Sequence, residues 1–581
     1  MKTSKIIWEL IKKRPLMYFF NGLLWISIDL TLLLPGLVTR EFFSYLEGEG
    51  AWGIGIPSML ALIMALALSR VANIYGGALV DITHRFTMAS LLRFNMFKEI
   101  YRKPGGEALK CSDNEMLSFF RDDVEQIEDS VSWCLDVIAS ILFTVIALVI
   151  LFRINSTITL FVFTPLVCIV AIANQASKRI QRYRKASRQA TQEVTGTIGE
   201  LFESVQSIKV AGAEDKCLNH LEDLNNQRRK VMLKDNLFNQ LLNSIFNNTV
   251  TLGTGLILLI IAQMLSADSF SLGDFSLFIY CLGFVSDNTT FWGEFMAHFQ
   301  QTDVSVKRMK EVLENEEGDK LVASRNLHVN ERIGDYDQPE PLLEDPLESL
   351  NLQGLTYQYK ETGKGVKGID LEIKRGEFVV ITGRIGSGKT TLLKLVAGLL
   401  EADAGSIQWN GRPVTDPMAF LTPPHMAYTP QVPGLFSDSI DNNIRLGLGG
   451  HPSRVNQAVR ASILDYDLEA MEEGLATTIG SRGVKLSGGQ VQRTAVARMF
   501  VREAEVYLID DMSSALDVKT ESMIWQRFLE EKKATCIAVS HRKATLKKAD
   551  KVLVLKEGQV DAVGSLDQVL QSSKEMQDLW V

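Results

Sequence analysis

Residues 378–390 read Phe-Val-Val-Ile-Thr-Gly-Arg-Ile-Gly-Ser-Gly-Lys-Thr, and this stretch decides the fold of the C-terminal part of the chain. Its first five residues form a short β-branched run that predicts a buried strand. The next eight, from Gly383 to Thr390, match G-x-x-x-x-G-K-[ST] at every position. Glycines at these places let successive backbone N–H groups point at phosphate oxygens, and a helix beginning near Lys389 adds the positive end of its dipole. The stretch therefore predicts a nucleotide site in an α/β domain.

Two side chains give this loop its chemistry. Lys389 is expected to neutralise the β- and γ-phosphates of the nucleotide, and the Thr390 hydroxyl to ligate Mg²⁺. A glycine-rich structural turn, the alternative interpretation, has no use for a lysine at this position. The predicted nucleotide-binding residues of the loop are Gly383, Arg384, Ile385, Gly386, Ser387, Gly388, Lys389, Thr390 and Thr391.

Two further apolar runs end in polar residues. Val506–Ile509 is followed by Asp510 and Asp511. A carboxylate at the end of a buried strand is costly unless it meets a metal or a donor, so Asp510 is predicted to serve Mg²⁺ and Asp511 to face the attacking water. Thr535–Val539 leads to His541, whose imidazole could donate to the γ-phosphate, because α/β sheets place ligand groups at the carboxyl ends of their strands.

The first 300 residues carry long apolar runs instead of such motifs. A bilayer core needs about 20 residues per helix, and six runs meet this length or come close to it. The short loops Arg40–Gly50 and Ser266–Asp274 are net acidic and Lys178–Arg188 is densely basic, which places both termini in the cytosol. No small-residue cleavage pattern follows the first run, so it is not expected to be a signal peptide. The predicted spans are Met17–Val38, Ala51–Tyr75, Val131–Phe152, Thr157–Asn174, Asn248–Leu265 and Phe275–His298.

Between these spans, two helix-favouring stretches, 81–130 and 177–247, predict helices that continue far into the cytosol, although ordinary cytosolic loops are the alternative. Their bends, near Gly105–Glu115 and Ser207–Cys217, are expected to touch the ATPase domain. The expected fold is an all-α six-helix transmembrane domain followed by an α/β P-loop ATPase domain. Its predicted segments are an amphipathic N-terminal segment at 1–16, the transmembrane domain at 17–310, an acidic linker at 311–349 and the ATPase domain at 350–581.

Composition excludes several classes of protein. A chain of 581 residues is too long for one core. Its net charge of −8 and lack of a basic stripe argue against a nucleic-acid partner. Six cysteines are scattered without metal-ligand spacing and are expected to be reduced and structural.

Several motifs together carry a family resemblance. Leu486-Ser487-Gly488-Gly489-Gln490 resembles the complete signature motif of ABC ATPases. Gln431 resembles the Q-loop glutamine of that family, Ser514–Asp517 its D-loop, His541 its switch histidine and Tyr359 the aromatic residue that stacks on adenine. The membrane part is similar in architecture to exporters of the multidrug and lipid-flippase type. The resemblance implies a catalytic set of Asp511, His541 and Gln431 and an Mg²⁺ set of Thr390, Gln431 and Asp510.

The resemblance also implies a dimer. In the family, the signature helix of one subunit caps the γ-phosphate held by the other subunit's phosphate loop, and a helix end is a suitable anion site. One chain with one loop and one signature supplies two half-sites, so two chains would enclose two ATP molecules. Their closing and opening would switch the membrane cavity between inward and outward access. The expectation is ATP-driven export of an amphipathic drug, lipid or peptide from the lipid of a bacterial inner membrane.

Two departures from the family pattern leave alternatives open. Asp511 stands where most members have Glu, and its side chain is one methylene shorter, so it is expected to polarise water weakly. This fits the degenerate-site subunit of a heterodimer, with a slow homodimer as the alternative. An ATP-gated channel or a regulatory subunit would share every motif. Ser481 replaces a usual Glu, which puts the family's cross-subunit contact to the cytosolic bends in doubt.

Polar residues within the spans are the clues to cargo. Asp29 lies in the first span, and Asp287 lies in the sixth beside Asn288, Glu294 and His298. Intramembrane charges are costly and usually face a cavity or a partner, so acidic groups there favour a cationic or zwitterionic substrate. Hydrogen bonding between helices, or a water-exposed position, is the alternative interpretation.

Overall fold

The computed structural model describes residues 1–105, 113–264, 271–313, 318–324, 343–360, 362–449, 452–480, 485–532 and 534–580. The chain forms two compact units, residues 1–97 with 111–329 and residues 98–110 with 330–581. Ser481, residues 106–112 of the first predicted bend and the centre of the predicted linker lie outside the described residues.

The first unit is helical. Three of its helical stretches, Pro15–Leu46, Ile56–Tyr101 and Glu115–Ile154, are long and apolar enough to cross a membrane, among the residues searched. The fourth and sixth predicted spans fall within α7 and α10, and the fifth falls within α9 as far as Met264, the last described residue of that helix. The helices are α1 Thr3–Ile11, α2 Pro15–Thr31, α3 Leu33–Leu46, α4 Ile56–Tyr101, α5 Asp113–Ser118, α6 Val124–Ile154, α7 Ser156–Glu203, α8 Val205–Ala211, α9 Glu214–Met264 and α10 Leu272–Val312.

The first predicted span is interrupted at Leu32, between α2 and α3. Pro35 explains the break, because it has no N–H to donate to the carbonyl one turn earlier and its ring crowds that carbonyl. The prediction of a loop over Arg40–Gly50 was wrong, since α3 continues to Leu46. An ion pair of 2.7 Å between the Arg40 and Asp274 side chains fastens this helical end to the start of α10.

Long helices run through the two stretches for which helices were predicted, and not the ordinary loops of the alternative interpretation. The fourth helix runs for 46 residues, α7 for 48 and α9 for 51. Gly212, with φ of 58°, ends the short helix α8 in the left-handed region that glycine adopts freely, and α9 begins at Glu214. The predicted bend at Ser207–Cys217 therefore exists as a short helix and a sharp turn.

The second unit contains two sheets. Strands β2-β1-β4-β5 form an antiparallel sheet of four, and β10-β9-β3-β8-β7-β6 form a sheet of six whose β9, β3, β8, β7 and β6 are parallel. The strands are β1 Ser349–Gln358, β2 Gly365–Lys374, β3 Phe378–Thr382, β4 Ala404–Trp409, β5 Arg412–Pro413, β6 Met426–Thr429, β7 Val506–Asp510, β8 Thr535–Val539, β9 Lys551–Lys556 and β10 Gln559–Gly564. The helices are α11 Lys389–Val396, α12 Pro417–Phe420, α13 Ile440–Arg445, α14 Pro452–Ala461, α15 Asp465–Glu469, α16 Gly488–Phe500, α17 Val518–Lys532, α18 Lys543–Leu546, α19 Leu566–Ser572 and α20 Lys574–Trp580.

Three central strands of the larger sheet hold the core in place. Every residue of β3, β7 and β8 is buried, as expected for parallel strands covered on both faces. Phe378 and Trp525 stack obliquely at 4.9 Å between ring centroids, and the Phe500 and Phe528 rings stack at 4.6 Å. Because β3, β8 and β7 are parallel neighbours, their carboxyl ends meet at one edge of the sheet.

Candidate active site

The loop after β3 is built on glycines that no other residue can replace. Gly383 has φ of 148° and Gly388 has φ of 98°. A Cβ on Gly383 would lie 2.3 Å from the Leu555 carbonyl oxygen, and one on Gly388 would lie 2.7 Å from Val366. Both the backbone conformation and the close packing therefore require glycine, which leaves the loop backbone open toward the carboxyl edge of the sheet.

Lys389, the first residue of α11, turns back over this loop. Its Nζ donates to the carbonyl oxygens of Gly383 and Arg384, each at 2.8 Å. Burial lowers the pKa of the ammonium group, while Asp511 and Asp510 act in the opposite direction. The positive charge is thus held within the concavity of the loop, where an anionic ligand would meet it.

Thr390 and Asp510 meet across the sheet edge. The Thr390 hydroxyl donates to Asp510 Oδ1 at 3.2 Å. Asp510 is only 1% exposed, and burial raises its pKa. Among the described residues, Oδ2 of Asp510 has no hydrogen-bond partner, although it is buried. A hydroxyl beside a carboxylate with an open oxygen suits Mg²⁺, a hard cation that takes oxygen ligands and retains waters.

The next residue, Asp511, occupies a strained backbone position with φ of 40°. Its Oδ2 accepts a hydrogen bond of 3.3 Å from Gln431 Nε2. Its Oδ1 accepts from the Ser513 N–H at 3.2 Å and from the Ser513 hydroxyl. The structure therefore brings together five residues that the sequence predicted as one site: Lys389, Thr390, Gln431, Asp510 and Asp511.

Two other predicted residues lie around this edge. His541 follows β8 and is exposed, and the preceding Ser540 donates its N–H to the Ile381 carbonyl of β3 at 3.2 Å. The Tyr359 ring follows β1 and packs edge-to-face on Tyr357, with 5.0 Å between centroids. Among the described residues, no hydrogen bond or ion pair joins either side chain to the phosphate loop.

The signature segment forms a capped helix end. Helix α16 begins at Gly488. The Ser487 hydroxyl accepts a hydrogen bond of 3.4 Å from the Gln490 N–H, and Gln490 Oε1 accepts one of 2.8 Å from the Ser487 N–H. These reciprocal bonds form a capping box. The position of a Cβ on Gly489 would be 3.3 Å from the Ala515 carbonyl oxygen, so the signature packs beside the predicted D-loop.

Some contacts at the site were not predicted from the sequence. Arg384 of the phosphate loop pairs with α20, at 2.7 Å to Glu575 and 2.9 Å to Asp578. Arg542, next to His541, donates to the carbonyls of Ser513 and of Leu516 in the D-loop. A serine two residues after Asp511 was a usable signal for a turn, because such side chains bond locally. No local pattern indicates the long-range pairs.

The predicted cargo residues lie on different helices. Asp29 is half-buried on α2 and Asp287 is exposed on α10. Neighbouring polar groups of α10 bond to α6: Asn288 donates to Thr144 Oγ1 at 3.2 Å, and Trp292 donates to Ser140 Oγ at 2.9 Å. For Asn288, this supports the alternative interpretation of hydrogen bonding between helices.

A buried carboxylate in the same unit was missed. Asp81 of α4 accepts hydrogen bonds of 2.8 Å from both Asn21 Nδ2 and Ser132 Oγ, and so ties α4 to α2 and α6. Asp81 lies beyond the end of the second predicted span, and a charged residue outside a span is common, so the sequence did not single it out.

Comparisons with known proteins agree with this architecture. The family described as the ABC transporter transmembrane region matches residues 18–287, and the ABC transporter family matches residues 366–514. An ATP-dependent lipid A-core flippase from Pasteurella multocida is 26% identical over 593 residues, which cover 98% of this chain and 96% of the relative. One from Alcanivorax borkumensis is 26% identical over 489 residues, which cover 83% of this chain and 81% of the relative.

A solved structure, that of a bacterial Atm1-family ABC exporter with ATP bound, has a TM-score of 0.76 and 21% identity, and covers 98% of this chain and 99% of its own. This likeness concerns the fold. With the two family matches and the apolar helices, it makes the protein an integral membrane protein with a C-terminal α/β nucleotide-binding domain. The chain is an exporter-type half-transporter of the ABC transporter superfamily, in which ATP hydrolysis is coupled to transport.

Proposed function

We propose that this half-transporter works as a dimer that encloses two ATP molecules and exports an amphipathic lipid. The observation that carries the proposal is that one chain presents two different half-sites for a nucleotide. Lys389, Thr390 and Asp510 converge on one side of a nucleotide site. The capped helix end at Ser487, which suits an anion, is a second half-site that needs a phosphate from another chain.

Within each site, the residues have separable tasks. Lys389 and the N–H groups of the glycine loop hold the phosphates. Thr390, Gln431 and Asp510 are the groups that would hold Mg²⁺, which when bound supplies charge neutralisation on the phosphate oxygens. Asp511 orients the attacking water, and His541 at the end of β8 donates to the γ-phosphate.

The short carboxylate of Asp511 bears on the assembly. Gln431 donates to one of its oxygens and Ser513 to the other, which fixes the orientation of the carboxylate. The side chain is nevertheless one methylene shorter than that of Glu. We propose the degenerate-site role in a heterodimer, in which the intact signature of this chain completes the partner's active site. A homodimer with slow turnover is the competing outcome, and the experiment below separates the two.

An amphipathic lipid is the proposed cargo because two relatives that match most of this chain are named as lipid A-core flippases. The same relatives support a bacterial inner membrane as the location, with the ATPase domain in the cytosol. The exposed Asp287 and half-buried Asp29 offer negative charge to a cationic or zwitterionic headgroup.

The test begins with purification of the chain from its native membrane and identification of any second subunit by mass spectrometry. The assembly is then placed in liposomes that contain a fluorescent analogue of lipid A or of a phospholipid, and ATP-dependent movement between leaflets is measured. Lys389→Ala is the control that should abolish movement. Ion current without lipid movement would instead indicate a channel, and stimulation by peptides or drugs alone would exclude a lipid cargo.

Asp511→Asn then distinguishes the assemblies. In a homodimer it should stop ATP hydrolysis, because both sites lose the carboxylate. In a heterodimer much of the hydrolysis should remain, since the partner's phosphate loop and carboxylate form the active site. Full hydrolysis by a chain that purifies alone would contradict the proposed role of Asp511.

A further inference from the structure

The carboxylate of Asp511 accepts hydrogen bonds from Ser513, a residue to which the family motifs assign no role. Ser513 donates both its N–H, at 3.2 Å, and its hydroxyl to Oδ1 of Asp511. The other oxygen, Oδ2, accepts from Gln431. Ser513 therefore fixes one edge of the carboxylate and leaves the Gln431 edge toward the nucleotide loop.

The backbone of Ser513 is in turn contacted by Arg542. The Arg542 guanidinium donates to the Ser513 carbonyl at 2.7 Å and to the Leu516 carbonyl at 2.8 Å. A planar guanidinium that spans two carbonyls fixes a loop more rigidly than a lysine, whose ammonium is a point charge on a flexible stem. Since Arg542 directly follows His541, the same short segment carries the switch histidine and the clamp on this loop.

The arginine is anchored in turn by a buried carboxylate. Glu521, only 3% exposed, lies 2.6 Å from the guanidinium, between its Oε2 and Nη1 of Arg542. Its Oε1 accepts from Trp525 Nε1 at 3.1 Å and from the Thr545 hydroxyl at 3.0 Å. Buried ion pairs add little net stability relative to apolar packing, so this arrangement fixes geometry more than it stabilises the fold.

We propose that Ser513 and Arg542 are positioning residues that hold the Asp511 carboxylate in its water-orienting geometry, so that the His541 segment and Asp511 move as one piece. This inference rests on the proposed role of Asp511 in hydrolysis. Neither residue is expected to touch ATP; both act through the Asp511 side chain. The strained backbone of Asp511, with φ of 40°, explains why such a clamp is needed.

The test compares steady-state ATP hydrolysis by the full-length chain purified without a partner subunit, in detergent or nanodiscs, so that every site that hydrolyses ATP contains Asp511 and Ser513. Ser513→Ala should lower kcat about ten-fold, because a small displacement of a catalytic group is costly, while KM for ATP changes less than about two-fold. Ser513→Thr keeps the hydroxyl and should retain most of the kcat. Arg542→Lys should lower kcat to a similar extent.

Arg527→Lys is the matched control. That arginine also donates to a backbone carbonyl, of Arg460 at 2.6 Å, and pairs with Asp465, so its replacement should leave kcat unchanged. Binding of a fluorescent ATP analogue and the midpoint of thermal unfolding should be the same in Ser513→Ala as in the parent chain, which separates positioning from general damage to the fold.

The inference is overturned if Ser513→Ala keeps its kcat, if Ser513→Thr loses as much as Ser513→Ala, or if only KM rises. Asp511→Asn, measured in parallel, separates the hydrolytic role of Asp511 from the positioning role of Ser513 and Arg542. An inactive Asp511→Asn with an active Ser513→Ala would remove only the positioning role. A fully active Asp511→Asn would remove the proposed role of Asp511 and the positioning inference with it.

Discussion

Each unit of the molecule buries an aspartate between elements, and the two are treated differently. In the helical unit, Asp81 accepts hydrogen bonds of 2.8 Å from Asn21 and Ser132. In the ATPase unit, Asp510 accepts one bond of 3.2 Å from Thr390, and its second oxygen has no partner among the described residues. A buried polar group without a partner costs free energy. The difference indicates that Asp81 holds helices together, whereas Asp510 retains an oxygen that the proposed Mg²⁺ ion could take.

The largest expected effect comes from neutralising the open carboxylate. In the chain purified without a partner subunit, Asp510→Asn should lower ATP hydrolysis by at least about 100-fold, because the negative charge that would hold Mg²⁺ is lost. Hydrolysis and the Mg²⁺ dependence of ATP-analogue binding are the measurements. Retained Mg²⁺-dependent binding would show that Asp510 is not a metal residue.

The same variant should be more stable without nucleotide. Burial raises the pKa of Asp510, so the folded state binds its proton more tightly than the unfolded chain does. With the folded pKa above the ordinary value of about 3.9, stability is highest below that value and falls as the pH rises through the folded pKa. Asp510→Asn removes this penalty at pH 7, and the thermal midpoint should rise by roughly 1–3 °C. A lower thermal midpoint for Asp510→Asn, together with a parent chain whose stability does not change from pH 4 to 7, would show that the buried Asp510 carboxylate is not destabilising.

Lengthening the neighbouring carboxylate should have the next largest effect. Asp511→Glu adds the missing methylene and should raise the kcat of the purified chain by roughly three- to ten-fold, which is only part of the about 100- to 10,000-fold that a general base contributes. Steady-state hydrolysis at saturating ATP measures it. Asp567→Glu makes the same chemical change at an exposed aspartate in the first turn of α19 and is the comparison variant. An unchanged or lower rate counts against the argument from reach.

On the other side of the comparison, Asn21→Leu should destabilise the helical unit. It removes a donor to the buried Asp81 carboxylate, and a hydrogen bond to a charged group is worth about 1.5–3 kcal/mol. The thermal midpoint in detergent should fall, while ATP-analogue binding should not change. Asp287→Asn, on an exposed position of α10, is the control and should leave the midpoint where it is. An unaltered midpoint in Asn21→Leu would mean that Asp81 does not serve packing.

The smallest effect is expected at the exposed ion pair of the phosphate loop. Arg384 pairs with Asp578 of α20 at 2.9 Å, and the two side chains are 61% and 49% exposed. Solvent-exposed ion pairs contribute about 0–1 kcal/mol, so Asp578→Ala should shift the thermal midpoint only slightly. A shift as large as that of Asn21→Leu would show that α20 supports the loop more than its exposure indicates.

The sequence was most informative where backbone chemistry fixes residue types at short spacing. The phosphate loop, the signature motif and the strand-end aspartates were predicted residue by residue, because turns and helix ends admit few residues. The family and the order of helical and α/β parts followed and are confirmed by the matches to both halves of the chain.

Long-range contacts escaped prediction. Helix α3 passes beyond the predicted span, and its Arg40 pairs with Asp274, more than 200 residues away in the chain. The clamp of Arg542 on Ser513 and the bonds of Asp81 to Asn21 likewise depend on how distant elements pack, and hydrophobic periodicity carries no information on that. The number of spans, the dimer and the roles of individual site residues stay predictions.

The capping box at Ser487 and Gln490 has a consequence for calorimetry. In the proposed dimer, the surface at Ser487 would need no folding step when another ATPase domain binds, because the bonds of the capping box are already made within one chain. Association should then show the heat-capacity change of surface burial alone, without the larger signature of coupled folding, and Gln490→Ala should add an ordering cost that slows docking more than it slows release.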